Sequence, residues 1–478
     1  MLIALVTAGV GVWLLVGAGG SAGHRHVTVG GVPLDEVHPH ETAAGVRRPG
    51  VVVAHGYAGS ARLMAQFGDS LAARGYVVVL LDFSGHGANT RPLPDGAATT
   101  AALQHDLDVA VTHLRGLPDV DPARIALVGH SMGASAVTQY AAAHPEITAT
   151  VAISLPSAPA ELPDRLLALV GQFEFPGFRA EAERATAGGA PGRSMIVVPG
   201  VEHISILYAP RAHRETAAFL DDSFGQPTAD RSMPSPLRRA GGAGALLVSL
   251  LVGLYPVGWL LLGGIRQGWS RLTLPQFIRT VVVAAVACAV AAVVARWLPT
   301  ERLPLSIGNY LVGFTVTGGA AMLAYQSPSP TAPISRPGGR RLALAAPILT
   351  GYAAVTVAVP LNLGLTYAVP VGNRYWLLPV VWAGFALLAY AGDRLAAGNF
   401  LGLLTVSMVA LAAVTGAAVT GLTSGFVLLI VPLLAVLLLV QAAWAAILHR
   451  FAAPRWLIAV VGSLIVAWPI ASALPLTG

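Results

Sequence analysis

Long apolar runs dominate the carboxy-terminal half of this chain of 478 residues. A helix needs about 20 mostly apolar residues to cross a hydrocarbon core of about 30 Å, and Gly and Pro are tolerated within it. Eight runs of that length follow Gly241, and residues 2–20 form a ninth. We therefore expect an all-α multi-pass transmembrane bundle with carboxy-terminal spans near 242–264, 279–298, 307–326, 342–360, 375–391, 400–421, 424–447 and 456–474.

The charged residues divide the chain at Ala240. Beyond it stand 12 Arg and only two acidic residues, whereas 17 Arg face 21 acidic residues before it. The net charge of +6 therefore belongs to short loops between apolar runs and does not indicate a nucleic-acid surface. The chain has no Lys, which excludes lysine-dependent chemistry, and its single cysteine, Cys288, excludes disulfides and cysteine metal sites.

The amino-terminal apolar run has two interpretations. It lacks a basic flank and its length favours an uncleaved anchor, but the small residues at 18–22 are compatible with signal-peptide cleavage. A segment rich in Pro, Ser and Gly indicates a linker before the bundle. We predict an anchor or signal segment at 1–22, an α/β domain at 23–222, a linker at 223–240 and about eight transmembrane helices at 241–478.

Short apolar runs alternate with helix-compatible stretches between residues 24 and 222. Buried parallel strands are apolar on both faces, and their alternation with helices is typical of βαβ units. The pattern predicts a doubly wound, mostly parallel α/β sheet. Its strands are expected near 51–54, 77–81, 125–128, 150–153, 166–170 and 195–198, and helices near 62–74, 101–115 and 132–143.

Arginine counts in the loops predict the orientation of the bundle. Cytoplasmic loops of membrane proteins carry an excess of basic residues. With nine spans, the loops on one side hold nine Arg and those on the other side hold five. We therefore expect a multi-pass cell-membrane protein whose α/β domain lies outside the cytoplasm.

Residues 129–133 read Gly-His-Ser-Met-Gly and fit the pattern G-x-S-x-G directly after a predicted strand. This pattern forms a sharp strand-to-helix turn that projects the serine hydroxyl, and the glycines relieve its crowding. In a chain so rich in Gly the bare pattern is weak, and its strand–turn–helix context carries the argument. The sequence predicts Ser131 as a nucleophile, with a structural glycine-rich turn as the alternative.

The loop after the first predicted strand contains His55 and Gly56. Backbone N–H groups in such a loop can stabilise the negative charge that develops on a substrate carbonyl oxygen. We expect the N–H of Tyr57 to do this together with the N–H of Met132. For His55 we expect a structural role within its own loop.

Residues 50–207 resemble the α/β-hydrolase superfamily, in particular its dienelactone-hydrolase-like and serine-aminopeptidase-like branches. The motifs that carry the resemblance lie at 55–56, 81–87, 120–133 and 198–203, and they are specific as a set. Ala134 stands where many relatives have a third glycine. True dienelactone hydrolases use a cysteine nucleophile, so the serine here implies esterase, thioesterase or peptidase chemistry.

The resemblance supplies two partners for Ser131. A serine hydroxyl needs a base, and the base needs an acid that fixes its tautomer. His203 follows the last strand, as the family histidine does, and Glu174 follows a strand and a glycine, as the family acid does. Glutamate is competent because it has only to accept the imidazole N–H. Asp164, Glu161 or a merely solvated acid are the alternatives for the acid, and a surface histidine is the alternative for the base.

Together these residues predict a membrane-bound serine hydrolase that cleaves an ester, thioester or amide through an acyl-enzyme on Ser131. The resemblance implies no cofactor and no metal. The expected partners are the lipid bilayer and a small-molecule, lipid or peptide substrate, and no nucleic acid. About 43 residues separate Ser131 from Glu174, too few for a large cap domain. The alternatives are an acyltransferase with the same triad, and a transporter or membrane assembly protein with a hydrolase-like binding module.

The interiors of the predicted membrane helices are almost free of ionisable residues, which usually mark transport pathways. Asp393 and Arg394 fall in a predicted loop between two spans. We therefore expect a role in anchoring, assembly or lipid access in preference to ion-coupled transport.

Overall fold

The computed structural model describes residues 1–40, 46–161, 163–187, 192–226, 232–265, 267–325 and 337–478. The chain forms two compact units. The first, here called the sheet unit, comprises Val10–Gly244, Leu361–Val369 and Pro475–Gly478. The second, the helical unit, comprises Met1–Gly9, Ala245–Pro360 and Pro370–Leu474. Two short segments from late in the sequence therefore belong to the sheet unit.

A mixed sheet of eight strands forms the centre of the sheet unit. The strands are β1 (Gly23–Val29), β2 (Val32–His38), β3 (Arg48–Ala54), β4 (Val77–Leu81), β5 (Val120–His130), β6 (Ala149–Ile153), β7 (Leu166–Gly171) and β8 (Arg193–Val198). Their order is β1-β2-β4-β3-β5-β6-β7-β8. The pairs β1–β2 and β2–β4 are antiparallel, and the other neighbouring pairs are parallel. The mostly parallel sheet expected from the sequence is confirmed.

Alternate residues of the central strands face two separate hydrophobic cores. In β3, Val51 and Val53 pack in one core, whereas Val52 and Ala54 pack in the other. Successive side chains point to opposite faces of a sheet, so a strand buried on both faces needs continuous apolar sequence. The first face is covered by α2 (Ala65–Ala73) and α6 (Pro210–Ser223), and the second by α3 (Ala97–Gly116) and α4 (Met132–Ala143).

The hairpin β1–β2 and the helices α5 (Pro176–Thr186) and α6 were not expected from the sequence. Strand β1 is exposed along most of its length and holds two His and one Arg, so it lacks the apolar run that predicts a strand. Helix α5 buries only Ala182 and Ala185, which leaves little hydrophobic periodicity. Helix α6 buries Ala212, Ala217 and Leu220 in the core, an apolar pattern that sequence reasoning missed.

The segment Leu361–Val369 is bound to the loop after β3. The Ser60 hydroxyl lies 3.0 Å from the Thr366 hydroxyl and accepts a hydrogen bond from the Tyr367 N–H at 3.1 Å. The last four residues are held in the same unit by two backbone hydrogen bonds of Leu476, both 2.8 Å long. Residues far along the chain thus complete the sheet unit.

Apolar helices make up most of the remaining chain. They are α1 (Leu2–Val16), α7 (Leu237–Leu262), α8 (Leu274–Val294), α9 (Gly308–Ala324), α10 (Gly339–Gly364), α11 (Arg374–Ala396), α12 (Phe400–Val419), α13 (Val427–Arg450) and α14 (Arg455–Ala473). Within the described residues, seven helices are long and apolar enough to cross a membrane, namely α7, α8 and α10 to α14. Helices α1 and α9 are shorter, with 15 and 17 residues. This set fits the membrane domain expected from the sequence.

Two consecutive arginines fix the carboxyl end of α1 and the start of α7. The Arg238 guanidinium lies 4.8 Å from the centre of the Trp13 ring and donates to the Trp13 backbone carbonyl at 3.3 Å. A cation is favourable at this end of a helix, where carbonyl groups lack intrahelical partners. Arg239 donates to the Asp69 carboxylate through two nitrogens, at 2.6 and 2.8 Å. Side-chain contacts of Arg238 and Arg239 therefore connect the start of α7 to both α1 and α2.

The division of the chain into four regions, at residues 22, 222 and 240, remains a prediction. Strand β1 begins at Gly23, α6 ends at Ser223 and α7 begins at Leu237. Within the predicted linker 223–240, residues 227–231 lie outside the described residues, as does residue 326 of the predicted span 307–326.

The expectation that Asp393 and Arg394 lie in a loop is wrong. Helix α11 continues to Ala396, and Asp393 is buried within it. Its carboxylate lies 2.6 Å from His449 Nε2 and 3.6 Å from Arg455 Nε. An unpaired buried carboxylate is costly, so these partners explain how an acidic residue can continue an apolar helix.

Candidate active site

Ser131 lies at the turn between β5 and α4. Its backbone has φ 52° and ψ −120°, a combination that residues other than glycine rarely adopt. The Ser131 N–H donates to the Ile153 carbonyl of β6 at 2.9 Å, which holds the turn against the neighbouring strand. Strained residues of this kind cluster at active sites. The side chain stands at the carboxyl edge of the parallel strands.

Two glycines make this turn sterically feasible. A Cβ atom on Gly129 would clash with the Gly133 carbonyl oxygen, and one on Gly133 would lie 2.5 Å from the His55 carbonyl oxygen. Both contacts are with backbone atoms, which cannot rotate away as a side chain can. The pattern G-x-S-x-G therefore has a steric cause in this chain.

His203 lies in the loop between β8 and α6, and its side chain is almost completely buried. Its Nε2 lies 3.1 Å from Ser131 Oγ, and its Nδ1 lies 2.9 Å from Glu174 Oε1. In the neutral tautomer that donates from Nδ1 to the carboxylate, Nε2 is free to accept the serine hydroxyl proton. The structure thus brings the three predicted residues together in one hydrogen-bonded series.

Glu174 follows β7 and is held by several donors. Its carboxylate accepts hydrogen bonds from the Ser154 hydroxyl and from the Phe175 N–H, the latter at 3.0 Å. Burial by itself would raise the pKa of the Glu174 carboxyl, but the hydrogen bonds from His203, Ser154 and Phe175 hold this pKa below its ordinary value of 4.5. The group is therefore a carboxylate at neutral pH and can stabilise an imidazolium.

The alternative acids lie elsewhere. Asp164 and Glu161 are exposed and precede β7, whereas the Ser131 hydroxyl lies at the opposite, carboxyl edge of the strands. Sequence reasoning missed Ser154, which has φ 53° and follows β6 directly. Its position after a predicted strand was the available signal, because polar groups at such positions converge on the same edge.

The loop after β3 lies against Ser131. A Cβ atom on Gly56 would lie 2.9 Å from Ser131 Cβ and 2.8 Å from His130 Nδ1. This close approach requires glycine and brings the following peptide group, that of Tyr57, near the nucleophile. Met132 is the first residue of α4, so its N–H has no partner within the helix. Both predicted oxyanion donors are thus close in the chain to this contact, and their role stays a prediction.

Two buried histidines support the loops of the site. The His130 Nε2–H donates to the His203 backbone carbonyl at 2.9 Å, and burial lowers the pKa of His130 well below its ordinary value. The His55 Nδ1–H donates to the Gly56 carbonyl at 2.7 Å, and its Nε2 accepts from the Phe83 N–H at 3.1 Å. Burial lowers the pKa of His55 to about 4. Both rings are therefore neutral hydrogen-bonding groups, which agrees with the structural role expected for His55; the part played by His130 was missed.

The part of the chain that contains Ser131 and Glu174 is similar to known proteins. A family model described as Serine aminopeptidase, S33 matches residues 46–174, a segment that includes Ser131 and Glu174. An uncharacterized protein of Mycobacterium tuberculosis is 32% identical over 175 residues, which cover 36% of this chain and 52% of that protein. Cutinase 1 of Thermobifida cellulosilytica is 30% identical over 106 residues, 22% of this chain and 38% of the cutinase. The chain thus spans about half or less of the length of these relatives.

Solved structures align with the same part of the chain. A putative dienelactone hydrolase from Klebsiella pneumoniae aligns with a TM-score of 0.34 and 17% identity over 43% of this chain and 98% of its own. An esterase from Pyrococcus furiosus aligns with a TM-score of 0.35 and 19% identity over 42% and 92% of the two chains. The observed sheet with its turn at Ser131, together with the match to residues 46–174, shows that the sheet unit has the α/β-hydrolase fold.

Proposed function

We propose that this chain is a membrane-bound serine hydrolase that cleaves an ester, thioester or amide bond through an acyl-enzyme on Ser131. The observation that carries the proposal is the series of hydrogen bonds from Ser131 through His203 to Glu174, with distances of 3.1 and 2.9 Å. A nucleophile, a base and an orienting acid within hydrogen-bond reach are the arrangement that covalent catalysis requires. The similarity to cutinases and to the serine aminopeptidase model supports the reaction class.

In the acylation half of the reaction, Ser131 Oγ bonds to the substrate carbonyl carbon while its proton passes to His203 Nε2. The carbonyl electron pair moves to the oxygen, which faces the N–H groups of Tyr57 and Met132. Each donor of this kind contributes about 3 kcal/mol to the transition state. The tetrahedral intermediate collapses when the bond to the leaving group breaks and the leaving group takes the proton from Nε2. The acyl group then remains on Ser131.

Water completes the reaction in the deacylation half. His203 Nε2 takes a proton from the water molecule as its oxygen bonds to the acyl carbon. The bond to Ser131 Oγ then breaks, and the proton on Nε2 returns to that oxygen. In both halves Glu174 stabilises the positive charge on the imidazolium ring.

A fluorophosphonate probe should label the wild-type chain and fail to label the Ser131→Ala variant, because the probe bonds to an activated serine oxygen. The measurement is in-gel fluorescence on the purified full chain in detergent. Ser135→Ala is the matched control, since Ser135 lies in α4 just after Ser131 and its hydroxyl donates to the Ser157 carbonyl at 2.7 Å. This control should label normally. Persistent labelling of Ser131→Ala would refute the nucleophile.

The proposal includes nine membrane crossings with the sheet unit outside the cytoplasm. The sheet unit holds the end of α1, the start of α7, the connection between α10 and α11 and the last four residues. The block α7–α10 and the block α11–α14 must therefore each cross an even number of times. If α9 did not cross, the block α7–α10 would cross three times, and an odd number is incompatible with both of its ends lying on the same side. The 17 residues of α9 are about 26 Å long, close to the span of a thin hydrocarbon core.

Cysteine accessibility should reveal this topology. In a Cys288→Ser background, Asp95→Cys and Glu301→Cys should react with a membrane-impermeant maleimide in intact cells. Gly268→Cys and Gly338→Cys should react only after the membrane is permeabilised, because α7 and α9 carry the chain to the cytoplasmic side. These positions are exposed, so the reagent can reach them. Labelling of Gly338→Cys in intact cells would show that α9 does not cross.

A further inference from the structure

Exposed large apolar side chains are rare in the sheet unit outside its terminal helices. Between residues 23 and 226, within the described part of the chain, Val46, Phe173 and Phe175 are the large hydrophobic residues that are exposed. Phe173 is 66% exposed and Phe175 is 38% exposed. The two aromatic residues flank Glu174, whereas Val46 precedes β3 at the opposite, amino edge of the strands. Exposed apolar groups that gather at one place mark a binding surface more often than single ones do.

Two aromatic rings, those of Phe175 and Phe178, lie beside the histidine of the site. The centre of the Phe175 ring is 5.6 Å from that of His203, and the centre of the Phe178 ring is 4.9 Å from it. The two phenylalanine rings are 5.7 Å apart. Burial of the His203 side chain therefore comes in part from aromatic neighbours, one of which is open to solvent.

The segment that carries these rings has a defined backbone. The Phe173 N–H donates to the Val201 carbonyl at 3.0 Å, which joins the segment to the loop that leads to His203. A Cβ atom on Gly171 would lie 2.7 Å from the same Val201 carbonyl oxygen, so the two loops are in close contact. The Phe178 N–H donates to the Phe175 carbonyl at 3.0 Å. The backbone that carries the phenylalanines is thus held against the loop that leads to His203.

We propose that Phe173, Phe175 and Phe178 bind the leaving group of the substrate, and that the substrate is an ester with an apolar alcohol portion. The inference rests on the proposed function, because it follows from the step in which His203 Nε2 protonates the leaving group. That step requires the leaving group to stand next to the His203 ring. An apolar alcohol placed there removes its own surface and part of the Phe175 and Phe173 surfaces from water, which favours binding.

Esters that share one acyl group and differ in the alcohol test this proposal. With methyl, hexyl and benzyl butyrate at monomeric concentrations, the wild-type chain should have the highest kcat/KM for the hexyl and benzyl esters. Phe173→Ser and Phe175→Ser should each reduce the ratio of hexyl to methyl kcat/KM about tenfold, as expected for the loss of an apolar contact. Val46→Ser is the matched control and should leave this ratio unchanged.

Several outcomes would overturn the proposal. An equal loss on methyl and hexyl esters would mean that the rings only support His203. An unchanged ratio with monomeric esters, together with a loss confined to esters presented in phospholipid vesicles, would mean that the rings insert into a membrane surface. The amount of active protein is counted in every variant by fluorophosphonate labelling. Hydrolysis that survives Ser131→Ala would instead refute the proposed function, so the two failures are distinguishable.

Discussion

Alanine in place of His203 should reduce kcat for any cleavable ester by about 10⁴- to 10⁶-fold, measured by steady-state hydrolysis with the purified full chain. The imidazole is the proton acceptor that lies 3.1 Å from Ser131 Oγ. Without it the hydroxyl must attack as a neutral alcohol, and the leaving group must depart without a proton donor. His105→Ala is the control, because His105 is an exposed histidine on α3, and it should retain full activity.

The variant that combines Ser131→Ala and His203→Ala should be no slower than either single variant. Residues that act as one catalytic unit show grossly non-additive losses, and a residual rate of about 10³- to 10⁴-fold over water remains from oxyanion stabilisation and binding. Additive losses would show that the two residues act in separate steps. A His203→Ala variant with more than about a tenth of the wild-type kcat would contradict its role as general base.

The convergence of Ser131, Glu174 and His203 could be predicted because each follows a predicted parallel strand. The carboxyl ends of parallel strands meet at one edge of a sheet, so residues far apart in the chain come together there. Strands such as β4 were recognisable because both faces are buried and every residue is apolar. The steric demands on Gly129 and Gly133 could be expected from the motif, although the atoms that impose them could not.

Contacts between distant segments left no pattern in the sequence. The Ser60 hydroxyl pairs with Thr366, more than 300 residues later, in a segment that lies between two apolar helices. Neither residue belongs to a periodic run, so nothing indicated that this connection joins the sheet unit. The exposure of Phe173 was also beyond sequence reasoning, because apolar residues near a strand are buried more often than not.

The error at Asp393 has a general physical cause. The predicted span ended at residue 391 because a charged residue is costly in an apolar helix. That cost falls when partners are present, and here His449 of α13 and Arg455 of α14 supply them. The sequence shows that Asp393 carries a charge, but it does not show which residues lie next to that charge in the folded chain.

Glutamine in place of Glu174 should reduce kcat by about 10⁴-fold, a loss typical of a triad whose acid becomes an amide, because the amide favours the wrong imidazole tautomer. The pKa of Glu174 lies below its ordinary value of 4.5, so the carboxyl is ionised in the wild-type chain throughout the neutral range. Protonation of Glu174 therefore does not set the activity between about pH 6 and 8, and the glutamine variant should be slower by a similar factor across that window.

The two alternative acids provide matched controls for this measurement. Asp164→Asn and Glu161→Gln remove a carboxylate from exposed positions before β7, and each should leave kcat within about twofold of wild type. Activity is followed by steady-state ester hydrolysis at several pH values, with active protein counted by fluorophosphonate labelling. A large loss in Asp164→Asn combined with normal kcat in Glu174→Gln would reassign the acid. A factor that changed steeply between about pH 6 and 8 would show that the amide substitution acts through a titrating group and not only through the imidazole tautomer.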